Sequence, residues 1–338
     1  MRILISSHLF APSVGGIEQV SGILAEEFAA LGHEVRVITQ TSCENEPAAP
    51  YAVFRRPNPA RLFALVSWSD VYFQNNLSIA TLWPAWLLKK PIVISHQTCI
   101  SQPDGCMLWR ERVKRWCTHF VSRNIAISPA IARALPVAST PLANPYRDDI
   151  FFTERTRPRE RDLVFVGRLV TDKGASLLIA ALVILRSRGL EPGLTLVGDG
   201  PERGRLQHQV QEMNVSDQVT FTGILTGAEL RATLNRHRIL VVPSLWAEPF
   251  GIVALEGAAC GCIVVGSEKG GLPDAIGPCG RLFPNGNEHA LADCLEMALN
   301  TSNPNIVSPS LVENHLTRHG RKRTAEAYLD IFKEVLKR

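Results

Sequence analysis

Short apolar runs alternate with longer amphipathic ones along most of the chain, and this alternation constrains the fold more than any other feature. It calls for parallel sheet with crossover helices, the α/β class. Arg2–Ser6 reads as a buried strand. Ile17, Val20, Ile23, Leu24, Phe28 and Leu31 then follow helical spacing until Gly32-His33 stops the helix, and Val35–Thr39 is the second strand. Further strands are expected at Val71–Gln74, Ile92–His96 and Asn124–Ile127, with helices near Ala80–Lys89, Met107–Arg123 and Pro129–Leu135. Thr153–Asp162 is polar, charged and Pro-containing, a composition that marks a linker, and the domain boundary is placed there. The alternation restarts with strands Leu163–Val166, Leu194–Val197, Val219–Phe221, Ile239–Val242 and Ile263–Gly266. Helices Ala175–Arg188, Glu202–Met213, Ala228–His237 and Gly251–Ala259 lie between them. The reading is two doubly wound domains, 1–152 and 162–320. Sheets of this kind bind ligands at the carboxyl ends of their strands, so a cleft between the two is the expected site.

A length of 338 residues suits two domains, and 46% hydrophobic with 20% charged residues excludes a disordered chain. The formal net charge of +4 is too small to demand nucleic acid, and none is expected as a partner. The opening MRILISSHLF lacks a small-residue cleavage site and is not read as a signal peptide. The longest apolar run, Ala175–Leu185, falls well short of the roughly 20 residues that span a bilayer. The eight cysteines, Cys43, Cys99, Cys106, Cys117, Cys260, Cys262, Cys279 and Cys294, lack Cys-x-x-Cys spacing. They suit reduced thiols in the cytoplasm rather than zinc.

The chemistry is written in loops that follow strands. Pro243–Gly261, PSLWAEPFGIVALEGAACG, holds two glutamates eight apart. Glu256 falls in an otherwise apolar helix, where a carboxylate is costly unless something donates to it, and the two hydroxyls of a ribose would satisfy both oxygens. Glu248 precedes the helix. Beside it the amides near Phe250, Gly251 and Ile252 favour anions, so the segment fits phosphates between two polyols, a nucleotide sugar. The alternative is that Glu248 caps the helix and Glu256 pairs with a buried arginine. In Gly167–Gly174, Arg168 and Lys173 flank one turn and suit a diphosphate as fork and point charge, or else are solvated surface charges. Gly198-Asp199-Gly200-Pro201 is a tight strand-to-helix turn rather than a dinucleotide fingerprint. Between the first strand and helix, Gly15 and Gly16 let backbone approach a phosphate or an acceptor, or serve conformational freedom alone.

In combination these segments resemble the family-4 glycosyltransferases of GT-B fold, through P-x-x-G-G-I-E at Pro12–Glu18, G-R-L-x-x-x-K-G at Gly167–Gly174, G-D-G-P at Gly198–Pro201 and P-S-x-x-x-E-P-F-G-I-V-x-L-E at Pro243–Glu256. The resemblance implies two Rossmann-like domains facing a cleft, with residues 321–338 a helix crossing back to the first. It implies that Arg168 and Lys173 bind the donor diphosphate, Glu256 the ribose and Glu248 the transferred sugar. Gly223, Ile224 and Leu225 fall in the segment that holds the base. His96 falls where the family places a histidine near the reacting centre, but Gln97 follows it where an acid is frequent; a buried structural histidine is the alternative. The implied reaction moves a sugar from a nucleotide diphosphate sugar, UDP being the expected nucleotide, to a hydroxyl acceptor with retention and without metal or other cofactor. The acceptor is a sugar, a glycan or a lipid-linked glycan, as in polysaccharide, glycolipid or cell-envelope synthesis.

Two other functions fit the same motifs: a nucleotide-sugar epimerase and a non-catalytic nucleotide-sugar-binding protein. A glycoside hydrolase has no need of the two cations. Met107–Arg123 carries Arg110, Arg112, Lys114, Arg115 and Arg123 with Trp109, Val113, Trp116 and Phe120 interleaved. The expected reading is a core-facing apolar stripe on a crossover helix; the alternative is a helix lying on an anionic membrane, which would make the protein peripheral on the inner face.

Overall fold

The computed structural model describes residues 1–46, 48–100, 108–154, 158–300 and 308–337. Seven strands form the first sheet: β1 (Arg2–Ser6), β2 (Glu34–Thr39), β3 (Ala52–Arg55), β4 (Val71–Asn75), β5 (Ile92–His96), β6 (Arg123–Ala126) and β7 (Thr140–Pro141). All the pairings are parallel, in the order β3-β2-β1-β4-β5-β6-β7. Six more form the second: β8 (Arg161–Val166), β9 (Leu194–Val197), β10 (Val219–Gly223), β11 (His237–Val242), β12 (Ile263–Ser267) and β13 (Gly280–Phe283). Their order is β10-β9-β8-β11-β12-β13, again parallel throughout. Helices cover both faces of each sheet, so the central strands are apolar at successive positions: Ile3, Leu4 and Ile5 are each 0% exposed, as are Leu163 and Val164. In each sheet the strand order reverses once, between β1 and β4 and between β8 and β11. Such a reversal opens a crevice at the carboxyl ends of the two strands, because their following helices leave toward opposite faces.

The chain divides into one compact unit of residues 1–146 with 319–338 and another of residues 147–318. The charged stretch read as a linker is held by the second unit. Thr153 Oγ1 donates to the carbonyl of Ala259, and Arg159 donates to the carbonyls of His237 and Cys260. Its polar side chains thus satisfy strand-end and helix-end carbonyls, which composition alone does not reveal; residues 155–157 lie outside the described residues. The helix Arg321–Leu336 packs against the helix Gly16–Ala30. Its Tyr328 and Phe332, both 0% exposed, meet Phe28 and Phe73, with Phe28–Phe332 ring centres 5.5 Å apart and Phe73–Tyr328 5.2 Å.

The helix expected over Met107–Arg123 is shorter. It runs Trp109–Cys117, is followed by a 3-10 turn at Thr118–Phe120, and gives way to β6; Met107 lies outside the described residues. The expected core stripe is also wrong. Cys117 is buried and Val113 half-buried, whereas Trp109, Trp116 and Phe120 are 69%, 58% and 52% exposed. The helix turns only its narrow Val113–Cys117 edge inward, and Trp109 and Trp116, seven residues apart and so nearly in line along the helix, flank that edge on the solvent side. Among the described residues no helix is long and apolar enough to cross a membrane.

Candidate active site

In the second unit the predicted donor residues gather at the reversal between β8 and β11. The loop after β8 carries Arg168 and Lys173, and the loop after β11 carries Glu248. The two loops are fastened together: the amide of Leu245 donates to the carbonyl of Asp172 at 2.8 Å. Gly174 has φ +72°, and a Cβ there would lie 1.9 Å from the carbonyl oxygen of Pro243, so only glycine fits between them. The loop after β9 joins the same edge, where a Cβ on Gly198 would lie 1.9 Å from the carbonyl oxygen of Gly167. The glycine turn read from the sequence therefore serves close loop-to-loop packing.

Lys173 and Glu248 meet directly. Lys173 Nζ donates to Glu248 Oε1 at 2.6 Å, and Ser244 Oγ donates to the same oxygen at 2.6 Å. Oε2 takes no hydrogen bond among the described residues, so the carboxylate is fixed by one oxygen and open at the other. The lysine is 32% exposed and the glutamate 8%, which leaves the ammonium reachable and the carboxylate recessed. Trp246, which the sequence reading passed over, lies beneath Lys173 with Nζ 5.7 Å from its ring centre, and its buried Nε1 has no partner among the described residues. Arg168 is exposed and makes no ion pair among the described residues. Glu248 does not cap the following helix: that helix, Ile252–Ala259, starts from Gly251 at φ 111° with no side-chain cap. Phe250 and Ile252 are buried beside it, and Glu256 is buried within it, 6% exposed. Gly223 bridges to Gly198, which brings the segment after β10 to the same edge, with Ile224 exposed and Leu225 half-buried.

The first unit's candidates lie on two elements. Gly15 caps the helix Gly16–Ala30, yet Glu18 folds back over that end, its Oε1 accepting from Ser13 Oγ at 3.0 Å and its Oε2 only 2.6 Å from where a Gly15 Cβ would stand. A carboxylate already facing those amides disfavours phosphate there and suits a hydroxyl-bearing ligand instead. His96 ends β5 at 0% exposure, with Nε2 2.9 Å from Asn124 Oδ1 and Nδ1 without a partner among the described residues. Burial pushes the His96 pKa below the usual histidine value, so the ring is neutral at pH 7. An acceptor or donor buried without a partner costs about 1–3 kcal/mol, a cost typical of a ligand-binding group. Gln97 is no acid–base partner of the ring. Its Nε2 donates to Asn75 Oδ1 and Asn144 Oδ1, and its Oε1 accepts from Asn144 Nδ2. Among the described residues no three His, Cys, Asp or Glu side chains converge as metal ligands.

The fold is shared with solved structures. A sucrose-phosphate synthase from Thermosynechococcus elongatus matches with a TM-score of 0.79 at 22% identity over 99% of each chain. Anabaena HepE in complex with UDP-glucose matches with 0.76 at 19%, covering 100% of this chain and 99% of that one. Two parallel-sheet units of this kind are the GT-B fold. In sequence, a glycogen synthase of Mycobacterium tuberculosis (strain CDC 1551 / Oshkosh) is 40% identical over 194 residues, 57% of this chain and 44% of the relative, so the chain spans under half of that protein's length. Two family models match, "Glycosyltransferase Family 4" over residues 14–137 and "Glycosyl transferases group 1" over residues 146–308. The chain belongs to the family-4 glycosyltransferases.

Proposed function

We propose that this chain transfers a sugar from a nucleotide diphosphate sugar, with UDP as the nucleotide, to a hydroxyl acceptor with retention of configuration. The observation that carries the reading is the Lys173–Glu248 pair at the β8/β11 reversal, with Glu248 Oε2 left to accept and Arg168 left unpaired in the same loop edge. Lys173 keeps further N–H bonds to give, so one ammonium serves Glu248 and a phosphate oxygen together. Glu256 takes the ribose hydroxyls, and the backbone at Gly223–Leu225 holds the base. As the acceptor oxygen bonds to the anomeric carbon, the bond to the diphosphate breaks and its electron pair goes to phosphate. Arg168 and Lys173 neutralise that charge, and the diphosphate takes the acceptor's proton. The UDP-glucose complex of the structurally similar Anabaena protein supports the choice of nucleotide.

The test is a panel of UDP-, GDP- and ADP-sugars with and without glycan acceptors, reading nucleotide release. Acceptor-dependent release of UDP is expected. Interconversion of the nucleotide sugar without release identifies an epimerase instead, and binding without either reaction identifies a binding protein. The turnover is expected to persist in EDTA, since two cations offset the leaving-group charge and the chain has no Asp-x-Asp segment. Complete loss restored by Mg²⁺ or Mn²⁺ would contradict this.

The acceptor side favours a membrane. Trp109, Arg112 and Trp116 share the exposed face of the helix Trp109–Cys117, Phe120 packs at a tilt against Trp116 with ring centres 4.4 Å apart, and Arg110 lies over Trp109. Indole rings with guanidinium groups between them match the headgroup layer of an anionic bilayer. Arg115 is turned away, donating to the carbonyl of Ala134. The protein is expected to co-sediment with phosphatidylglycerol vesicles and not with phosphatidylcholine vesicles, and R112E with W116A is expected to abolish this without changing UDP affinity. Absence of sedimentation at low salt would decide for a soluble acceptor.

A further inference from the structure

Asn124 is an uncommon residue for the interior of a parallel strand, where a side-chain amide must find partners away from water. It stands near the start of β6, opposite Ile94, which precedes His96 by two residues and so shares its face of the sheet. Asn124 Nδ2 donates to the backbone carbonyl of Thr118 at 2.9 Å, while its Oδ1 lies 2.9 Å from His96 Nε2. Thr118, Asn124 and His96 are all buried, at 1%, 7% and 0% exposure.

The chemistry of these three groups leaves one arrangement. A carbonyl oxygen only accepts, so the amide nitrogen must face Thr118 and the amide oxygen must face the imidazole. An amide oxygen also only accepts, so Nε2 must carry a hydrogen. In a neutral imidazole the other nitrogen is then a bare acceptor, and it is Nδ1 that has no partner among the described residues. The chain thus runs from the Thr118 carbonyl through the Asn124 amide to the His96 ring, and ends in a lone pair.

We propose that Asn124 is a positioning residue that locks His96 in the Nε2–H tautomer, so that Nδ1 accepts a hydrogen bond from a sugar hydroxyl. The inference rests on the sugar-transfer reading for the nature of the ligand, and on the Thr118–Asn124–His96 chain alone for the tautomer. Asn124 touches no ligand itself. It decides which hydroxyl orientation the histidine accepts, and the polarity of that contact reverses if the ring changes tautomer. Nothing in the resemblance to the family marks this position.

Nitrogen-15 NMR of the histidine-labelled full chain at pH 7 tests it. His96 in the wild-type protein is expected to show a protonated Nε2 and an unprotonated Nδ1. Asn124→Leu, which keeps the branched four-atom shape of the side chain and removes both bonds, is expected to give a mixture of tautomers. With UDP-glucose added to the wild type, the Nδ1 resonance is expected to move toward its hydrogen-bonded position, while UDP alone leaves it in place. Asn124→Leu is expected to lower kcat/KM for UDP-glucose at least tenfold while leaving the affinity for UDP unchanged, and Asn124→Gln to recover part of the loss. A wild-type His96 in the Nδ1–H form overturns the proposal whether or not any variant folds. So does an Asn124→Leu protein that keeps the Nε2–H tautomer, and so does a wild-type protein that binds UDP-glucose in a thermal shift assay with Nδ1 unmoved. Failure to bind any nucleotide sugar instead sinks the proposed function, and the ligand-free wild-type spectrum still decides the tautomer.

Discussion

Deleting residues 321–338 is expected to remove the cooperative unfolding transition of the first unit. The helix Arg321–Leu336 supplies Ala325, Tyr328, Leu329, Phe332 and Val335 to that unit's core, all buried. Tyr328 also donates its hydroxyl hydrogen to Ser95 Oγ at 2.9 Å, one residue before His96. Truncating Phe332 alone to alanine removes a ring that packs against Phe28, Phe73 and Tyr328, at a cost of about 3–5 kcal/mol for a buried aromatic. A domain's whole stability is about 5–15 kcal/mol, so the point variant should survive with a much lower midpoint and the deletion should not. Urea denaturation followed by circular dichroism checks both. A deleted protein that unfolds with wild-type midpoints and amplitude would refute the packing role.

Lys173→Ala is expected to weaken UDP binding by about ten- to a hundredfold, the equivalent of about 1.5–3 kcal/mol for a charge-assisted bond. The same substitution leaves Glu248, 8% exposed, with Ser244 as its one hydrogen-bond donor, so it is also expected to lower the melting temperature of the second unit. The two effects separate in a double variant. Adding Glu248→Gln to Lys173→Ala removes the uncompensated charge and should restore stability without restoring affinity. Calorimetry with UDP, alongside thermal unfolding, reads both quantities. Glu256→Ala should weaken UDP by a similar factor through the lost ribose contacts. Unchanged UDP affinity in both Lys173→Ala and Glu256→Ala would remove the donor-site assignment.

What the sequence showed of the fold followed burial. Strands covered on both faces, such as β1, β5 and β8, contain unbroken apolar runs, Ile3–Ile5, Ile92–Ile94 and Leu163–Val166, and are legible as such. β3 is exposed or half-buried at every position, β7 has two residues, and β13 is GRLF, so none carries a run or a period to detect. The helix Pro59–Trp68 had a usable signal that went unread: Asn58 caps it by accepting from the amide of Arg61, with proline at the first turn. In the site, residue types at motif spacing were legible and pairings were not. Lys173 and Glu248 are 75 residues apart and meet only because β8 and β11 are neighbours, a fact of strand order rather than of spacing. Asn124 carried the one available hint, an amide inside a strand, and its meaning needed the carbonyl of Thr118.

The division of the chain also sets the order in which it matures during synthesis. Residues 147–318 form the second unit from one continuous stretch, whereas the first unit is assembled from residues 1–146 and 319–338. Ribosomes deliver the amino end first, and domains usually fold in that sequence. Here the segment made earlier is the one that finishes later. Until the helix Arg321–Leu336 emerges, Phe28 and Phe73 lack the rings of Tyr328 and Phe332, and a nascent first sheet waits with an open aromatic face while the second unit already holds every residue it needs.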